Sequence, residues 1–204
     1  MLNMAFLTYI VVMSITPGPN NLMVTASGVN FGFGRTLPHL LGISCGTAVQ
    51  LFLTANLMAW ILVWLESVRL PLAILGCTYL LWLSWRLLHS GSPEQKEVAR
   101  PFSFVQAAFF QCINPKAWVM VVNAAILFMP NTPELRLQAS TGMALSQMVV
   151  NFPCIAVWAL MGDRLRLYLL QPRYLTLFNG IMAALMTLTA LILLYDELKL
   201  AGLM

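Results

Sequence analysis

Six stretches of this 204-residue chain are each long and apolar enough to cross a lipid bilayer, and that property leaves few folds open. They run roughly over 4–28, 38–65, 70–88, 103–129, 138–161 and 175–195. A hydrocarbon core of about 30 Å takes about 20 residues of helix. Inside lipid every backbone N–H and C=O must be paired within the protein, and a helix does this within one segment. A transmembrane β-barrel would need alternating segments of about ten residues, and runs such as Leu80-Leu81-Trp82-Leu83 do not alternate. The expectation is an all-α membrane protein of six transmembrane helices. With only 9% of residues charged, against about 25% in soluble domains, the chain has too little polar surface for a soluble enzyme, a disordered tail or a nucleic-acid binder.

The net charge of +4 is explained by insertion rather than by an acidic partner. With the N-terminus outside, the inner loops carry Arg35, Arg86, Lys96, Arg100, Arg164, Arg166 and Arg173, and the outer segments carry Arg69, Arg136 and Lys199. Cytoplasmic loops carry the excess of Lys and Arg, so both termini are expected outside. Trp60, Trp64, Trp82 and Trp85 lie towards span ends and read as interface anchors. No positive n-region precedes the first apolar run, so it is expected to be retained as a span. Cys45, Cys77, Cys112 and Cys154 each lie in a different run without CxxC spacing, which points to helix packing rather than to a metal site or a disulfide. No cofactor and no metal are expected.

The longest polar segment, Ser90 to Pro101, divides the chain into related halves. Pro17 and Pro115 stand 98 residues apart, Gly42 and Gly142 stand 100 apart, and Gly76 and Gly180 stand 104 apart. The expected organisation is a single transmembrane domain over 1–204, with repeat one over 1–89, an inner linker over 90–102 and repeat two over 103–204. Three spans per repeat force the second copy to enter upside down, the inverted-repeat plan of many secondary transporters.

The sharpest local signals are two helix interruptions in mid-span. Thr16-Pro17-Gly18-Pro19-Asn20-Asn21 places two prolines around a glycine, and one interior proline already costs about 3 kcal/mol. Thr16 suits an N-cap and Pro17 the first helical position; Asn114-Pro115 repeats that grammar. The first and fourth helices are therefore expected to be broken. A helix start exposes free N–H groups and about half a positive charge, which suits an anion such as a carboxylate. Lys116, in a run otherwise uncharged from Pro101 to Pro133, adds a full charge, and an intramembrane cation marks function by default. Simple kinks at Pro17 and Pro19, and snorkelling of Lys116 to an interface, are the competing structural readings. Gln50, Asn56, Gln111, Asn123, Gln147 and Asn151 read as interhelical hydrogen-bonders. Gly42-x-x-x-Gly46 reads as a close helix approach, and His39 and His89 read as solvated loop histidines.

No Asp or Glu falls at mid-span. A hard divalent cation, which takes oxygen ligands, is therefore a poor substrate, and so is a cationic side chain. There is no G-x-x-x-x-G-K-[ST] loop for nucleotide.

Thr16-Pro17-Gly18-Pro19-Asn20-Asn21, Gly32-Phe33-Gly34-Arg35, Gly42 and Gly46, the run Gly76 to Leu83, and Asn114-Pro115-Lys116-Ala117 together resemble the LysE/RhtB family of amino-acid exporters across the whole chain. The resemblance implies a bacterial inner-membrane exporter of amino acids or close derivatives, driven by the proton gradient and compatible with a homo-oligomer. Small neutral or apolar substrates are favoured. Their carboxylate is expected to meet the N–H groups after Pro17 and Pro115 with Lys116 as counter-charge. Thr16, Gly18, Pro19, Asn20, Asn21 and Asn114 complete that substrate site, and the span-end acid Asp163 is the candidate proton carrier. A channel or ion carrier, or a non-transporting assembly subunit, are the alternatives from other classes.

Overall fold

The computed structural model describes residues 4–89, 100–130, 132–168 and 172–200, and the side chains of 59–67, 69, 167, 172 and 200 are outside the description. Most of the inner linker therefore lies outside the described residues, as do the side chains of Trp60 and Trp64. The described residues form eight α-helices: α1 Met4–Ile15, α2 Pro19–Phe31, α3 Phe33–Asn56, α4 Met58–Leu88, α5 Phe104–Ile113, α6 Pro115–Phe128, α7 Arg136–Tyr168 and α8 Pro172–Leu200, with one 3-10 turn at Pro133–Leu135 before α7. Among the described residues, four segments are long and apolar enough to cross a membrane, Phe33–Asn56, Leu70–Leu88, Pro133–Arg166 and Arg173–Lys199. Neither α1 nor α2 reaches across a bilayer alone, nor does α5 or α6, at about 1.5 Å per residue.

One expected boundary moves. Residues 58–65, read as the end of the second apolar run, belong to the helix that carries the third, because α3 stops at Asn56 and α4 starts at Met58. Hydropathy could not find that joint, since the polar marks it responds to, Glu66 to Arg69, fall inside α4. The Asn56 amide donates to Phe52 O at 2.8 Å and to Ser140 Oγ on α7 at 2.8 Å, so a tertiary bond attends the break. The entry of α5 is local chemistry: Ser103 Oγ accepts from Gln106 N and the Gln106 side chain accepts from Ser103 N, a reciprocal capping box.

The most extensive helix contacts join α3 with α7, α2 with α7 and α4 with α8. Small residues set the distance between α2 and α7. A Cβ on Gly28 would stand 2.3 Å from Ala159 O on α7, and one on Gly162 would stand 2.3 Å from Thr25 O on α2. Gly42 and Gly46 seat α3 on the backbone of Phe104 and Ala108 in α5, and Gly76 seats α4 on Ile113 O, the close approach expected of small residues between membrane helices. Gly142 and Gly180 have nothing within 4 Å of such a Cβ. The paired glycines of the two halves thus do different work, because only the first half's copies face a neighbouring backbone. Glycine's freedom is needed at Gly32, whose φ of +82° turns α2 into α3.

Apolar clusters fill the interior, one around Phe6, Ile10, Leu51 and Val121 and another around Val24, Leu40, Ile43 and Ile155. Large apolar side chains such as Phe109, Val149 and Leu177 stand on the outside, where lipid rather than water is their natural neighbour.

Candidate functional site

Both interrupted runs leave helix ends inside the bundle. α1 stops at Ile15 and α2 starts at Pro19; α5 stops at Ile113 and α6 starts at Pro115. Each stop leaves carbonyls and each start leaves N–H groups without an intrahelical partner. The second restart follows the expected grammar: Asn114 is the N-cap, its Oδ1 accepts from Lys116 N at 3.1 Å, and Pro115 is the first helical residue.

The first restart comes two residues later than expected. Gly18, in extended backbone (φ −179°, ψ 179°), is the N-cap and Pro19 the first helical residue. The cause is steric, because the residue before a proline is pushed out of the α region. Thr16 instead closes α1: its N–H donates to Val12 O at 3.1 Å and its hydroxyl to Met13 O at 3.1 Å. Asn21 then stitches the gap from the far side, its Nδ2 donating to Ser14 O at 3.0 Å and Thr16 O at 2.8 Å.

Lys116 turns inward. Its Nζ donates to Thr16 O at 2.6 Å, Thr16 Oγ1 at 3.0 Å and Pro17 O at 3.2 Å. An ammonium has three hydrogens, and these three oxygens match them. The cation thus sits on the carbonyl, electronegative end of α1 while its own backbone begins α6. Beside it Asn20 and Gln111 form a reciprocal amide pair, Asn20 Nδ2 to Gln111 Oε1 at 2.9 Å and Gln111 Nε2 to Asn20 Oδ1 at 3.3 Å. The ammonium therefore ties α6 to the end of α1, and the amide pair ties α2 to α5, so all four half-helices are joined across the two breaks.

Between them lies a cavity of about 30 Å³, walled by Gly18, Asn20, Asn21, Asn114, Lys116 and Asn151 among others. That volume holds a water molecule or two and is too small for an amino acid. Of the nine residues expected around the breaks, Gly18, Asn20, Asn21, Asn114 and Lys116 line this cavity, Thr16 and Pro17 reach it through their bonds from Lys116, and Pro19 and Pro115 open α2 and α6 without lining it. Asn20 and Asn21 are engaged in bridging the breaks and do not stand free in the cavity. Ser14, Thr47 and Asn151 also line it, with Asn151 Nδ2 donating to Ser14 Oγ at 2.9 Å and Asn151 Oδ1 accepting from Ser44 Oγ at 3.1 Å. The sequence marks these only as polar residues within apolar runs, so nothing separated them from other interhelical bonds.

Asp163 stands elsewhere. Its Oδ1 lies 3.2 Å from where a Cβ on Gly32 would be, at the far end of α2, and thirteen residues of helix put that end about 20 Å from the break. His39 is also not where a loop histidine would be: it is 2% exposed, and its ring stacks on Phe102 at 5.1 Å. The helix carrying it begins at Phe33 rather than near residue 38, which draws the ring into the bundle.

Gly18 has no need of unusual backbone angles; what it provides is room. A Cβ there would stand 2.7 Å from Lys116 Cδ and 3.0 Å from Nζ. Because the obstructed group is the end of a flexible chain, Gly18→Ala is expected to leave folding intact and to displace the ammonium. A Gly18→Ala/Lys116→Met double variant should then export no more slowly than Lys116→Met alone, since groups sharing one interaction are non-additive. Additive losses in transport rate would separate Gly18 from Lys116.

The LysE type translocator family model matches residues 11–197 of this chain. The chain is 33% identical over 190 residues to a cysteine/O-acetylserine efflux protein of Klebsiella pneumoniae, covering 91% of this chain and 93% of that protein. It is 30% identical over 159 residues to the protein of the same name in Escherichia coli K12, covering 78% and 80%. A Salmonella paratyphi A protein of that name is 29% identical over 163 residues, covering 79% and 83%. No solved structure matches the chain.

Proposed function

The chain belongs to the LysE type translocator family and is a membrane transporter rather than an enzyme; from that premise we propose that it exports small neutral amino acids or their close derivatives from the cytoplasm. The observation that carries this reading is the bond from Lys116 Nζ to Thr16 O, which ties the two breaks together around one cavity. The relatives named as cysteine/O-acetylserine efflux proteins favour a small, uncharged side chain, as does the absence of any acidic residue among the described residues lining the cavity.

The mechanism follows from competition for one cation. In the closed arrangement the ammonium of Lys116 is held by neutral carbonyl and hydroxyl oxygens. A substrate carboxylate is a stronger acceptor, because charge-assisted hydrogen bonds are roughly twice as strong as neutral ones. Its arrival would draw Lys116 off α1 and leave the carbonyls of Thr16 and Pro17 free to accept from the substrate ammonium group. The N–H groups at the starts of α2 and α6 favour the same carboxylate. Releasing the tie between the halves permits them to rock, opening the cavity to one side and then to the other.

The proposal includes two inverted repeats, 1–89 and 103–204, joined by the inner linker, within one domain in the bacterial inner membrane and with both termini outside. The Lys and Arg distribution supports that orientation. It also includes coupling to the proton gradient with Asp163 as carrier. At about 20 Å from the breaks, Asp163 would act through movement of α7 against α2 rather than by exchanging a proton with Lys116.

A panel of radiolabelled amino acids in proteoliposomes, with and without a pH gradient, tests the reading. Saturable flux of O-acetylserine, cysteine and similar neutral compounds, accelerated by the gradient, is the expected result. Ion conductance indifferent to amino acids would make the protein a channel. An absence of all flux, with no effect of alanine at Thr16, Asn20 or Asn114, would make it an assembly subunit.

A further inference from the structure

A second cavity, of about 150 Å³, opens at the end of the bundle where Asn30, Phe31, Arg86 and Arg100 converge. Its wall has two kinds of surface. Met23, Leu83 and Met186 are apolar, whereas Arg86, Arg100 and His39 bring hydrogen-bond donors. No acidic side chain is among the described residues that line it. The Arg86 guanidinium carbon also lies 4.9 Å from the centre of the Trp82 ring.

His39 supplies an independent sign. It is 2% exposed, stacks on Phe102, and neither ring nitrogen has a hydrogen-bond partner among the described residues. Leaving a buried polar group unpaired costs about 1–3 kcal/mol, so such a group on a cavity wall points to a ligand that pairs with it. Two guanidiniums and an imidazole over an apolar floor select an anion with a small uncharged body. Arginine's planar fork matches a carboxylate with two parallel bonds.

We infer that this cavity is an inner vestibule that captures the substrate's carboxylate on Arg86, Arg100 and His39 before the substrate reaches the breaks. The inference rests on the transport reading and on the orientation that puts the arginine-rich end in the cytoplasm. It assigns the protein two anion sites in series, an inner one that collects and a central one that switches. Phe102, at the exit of the linker, lies on His39 and meets Tyr79 edge-on at 6.2 Å, so it forms part of the wall between vestibule and helix core.

The test is export of radiolabelled O-acetylserine from proteoliposomes, with its concentration varied on the arginine-rich side and the sidedness of insertion measured by labelling. Arg86→Gln/Arg100→Gln is expected to raise the half-saturating concentration by about tenfold or more, the loss of one charge-assisted bond or more, with little change in maximal rate. Arg86→Lys/Arg100→Lys keeps the charge that governs insertion but loses the fork, and should restore normal insertion with only part of the affinity. Arg136→Gln, at the other end of the bundle, should leave half-saturation unchanged. Unaltered half-saturation in the Gln double variant, with the wild type exporting normally, would overturn the vestibule and leave the transport reading standing. If the shift appears only in vesicles containing anionic lipid and vanishes in pure phosphatidylcholine, the site belongs to a lipid headgroup and the inference fails. If the wild type exports nothing, both readings fall together.

Discussion

Lys116→Met is expected to reduce amino-acid export by about 100-fold or more at unchanged expression. Methionine keeps most of the chain's length and removes the charge. The substitution takes away the three bonds to Thr16 O, Thr16 Oγ1 and Pro17 O and the group that would receive a carboxylate. Hydrogen bonds to charged groups contribute about 1.5–3 kcal/mol each, and a loss of about 3 kcal/mol in the transport cycle is roughly a hundredfold. Lys116→Arg should recover little, because a guanidinium is larger than an ammonium and the cavity is only about 30 Å³. Initial rates of radiolabelled O-acetylserine efflux at matched protein levels measure the effect. Unchanged efflux with an unchanged substrate range would remove Lys116 from the mechanism and take the competition model with it.

A large loss of stability, in contrast, is expected from Gly162→Leu and Gly28→Leu. Both glycines lie where α2 crosses α7, and in both cases the obstructing atom is a backbone oxygen 2.3 Å from the new Cβ. Backbone cannot swing aside as the Lys116 side chain can, so the helices must separate. Overpacking costs typically about 1–3 kcal/mol, occasionally more. For a chain of about 200 residues each kcal/mol lowers Tm by about 2–4 °C, so a fall of roughly 5–10 °C is expected for each variant in detergent. Alanine at Gly142 or Gly180, where nothing stands within 4 Å, should leave Tm unchanged. Equal melting of all four variants would refute the assignment of this crossing to glycine.

The two predictions fall on different layers of information. Lys116 announces itself in the sequence, as a lone cation in an apolar run directly after a cap-and-proline pair. Gly162 does not, because one glycine near the end of a hydrophobic stretch looks like any other. Only the approach of Thr25 O gives it meaning. The same contrast runs through the breaks. Asn114-Pro115 carried its own restart, since cap and proline act within three residues of chain. At Thr16 to Pro19 the sequence pointed to Pro17 as the first helical residue. The choice of Pro19 came with Asn21 reaching back to the carbonyls of Ser14 and Thr16. His39 was misread because its loop-side position in sequence says nothing of Phe102, more than sixty residues away, stacking on it.

The sequence by itself determined that the chain is helical and belongs in lipid, and that its helices are interrupted in two runs. Those outcomes follow from the solvation of backbone and apolar side chains and from proline's missing N–H, which act residue by residue wherever the chain goes. Tertiary structure alone decided which atoms meet at the interruptions: that Lys116 from one half seats on Thr16 of the other, that Asn20 pairs with Gln111, and that the hollow between them is narrowed to about 30 Å³. Contacts across about a hundred residues depend on how helices with nearly uniform apolar surfaces slide past one another, and that register is set by close backbone approaches such as Gly28 on Ala159 rather than by hydropathy.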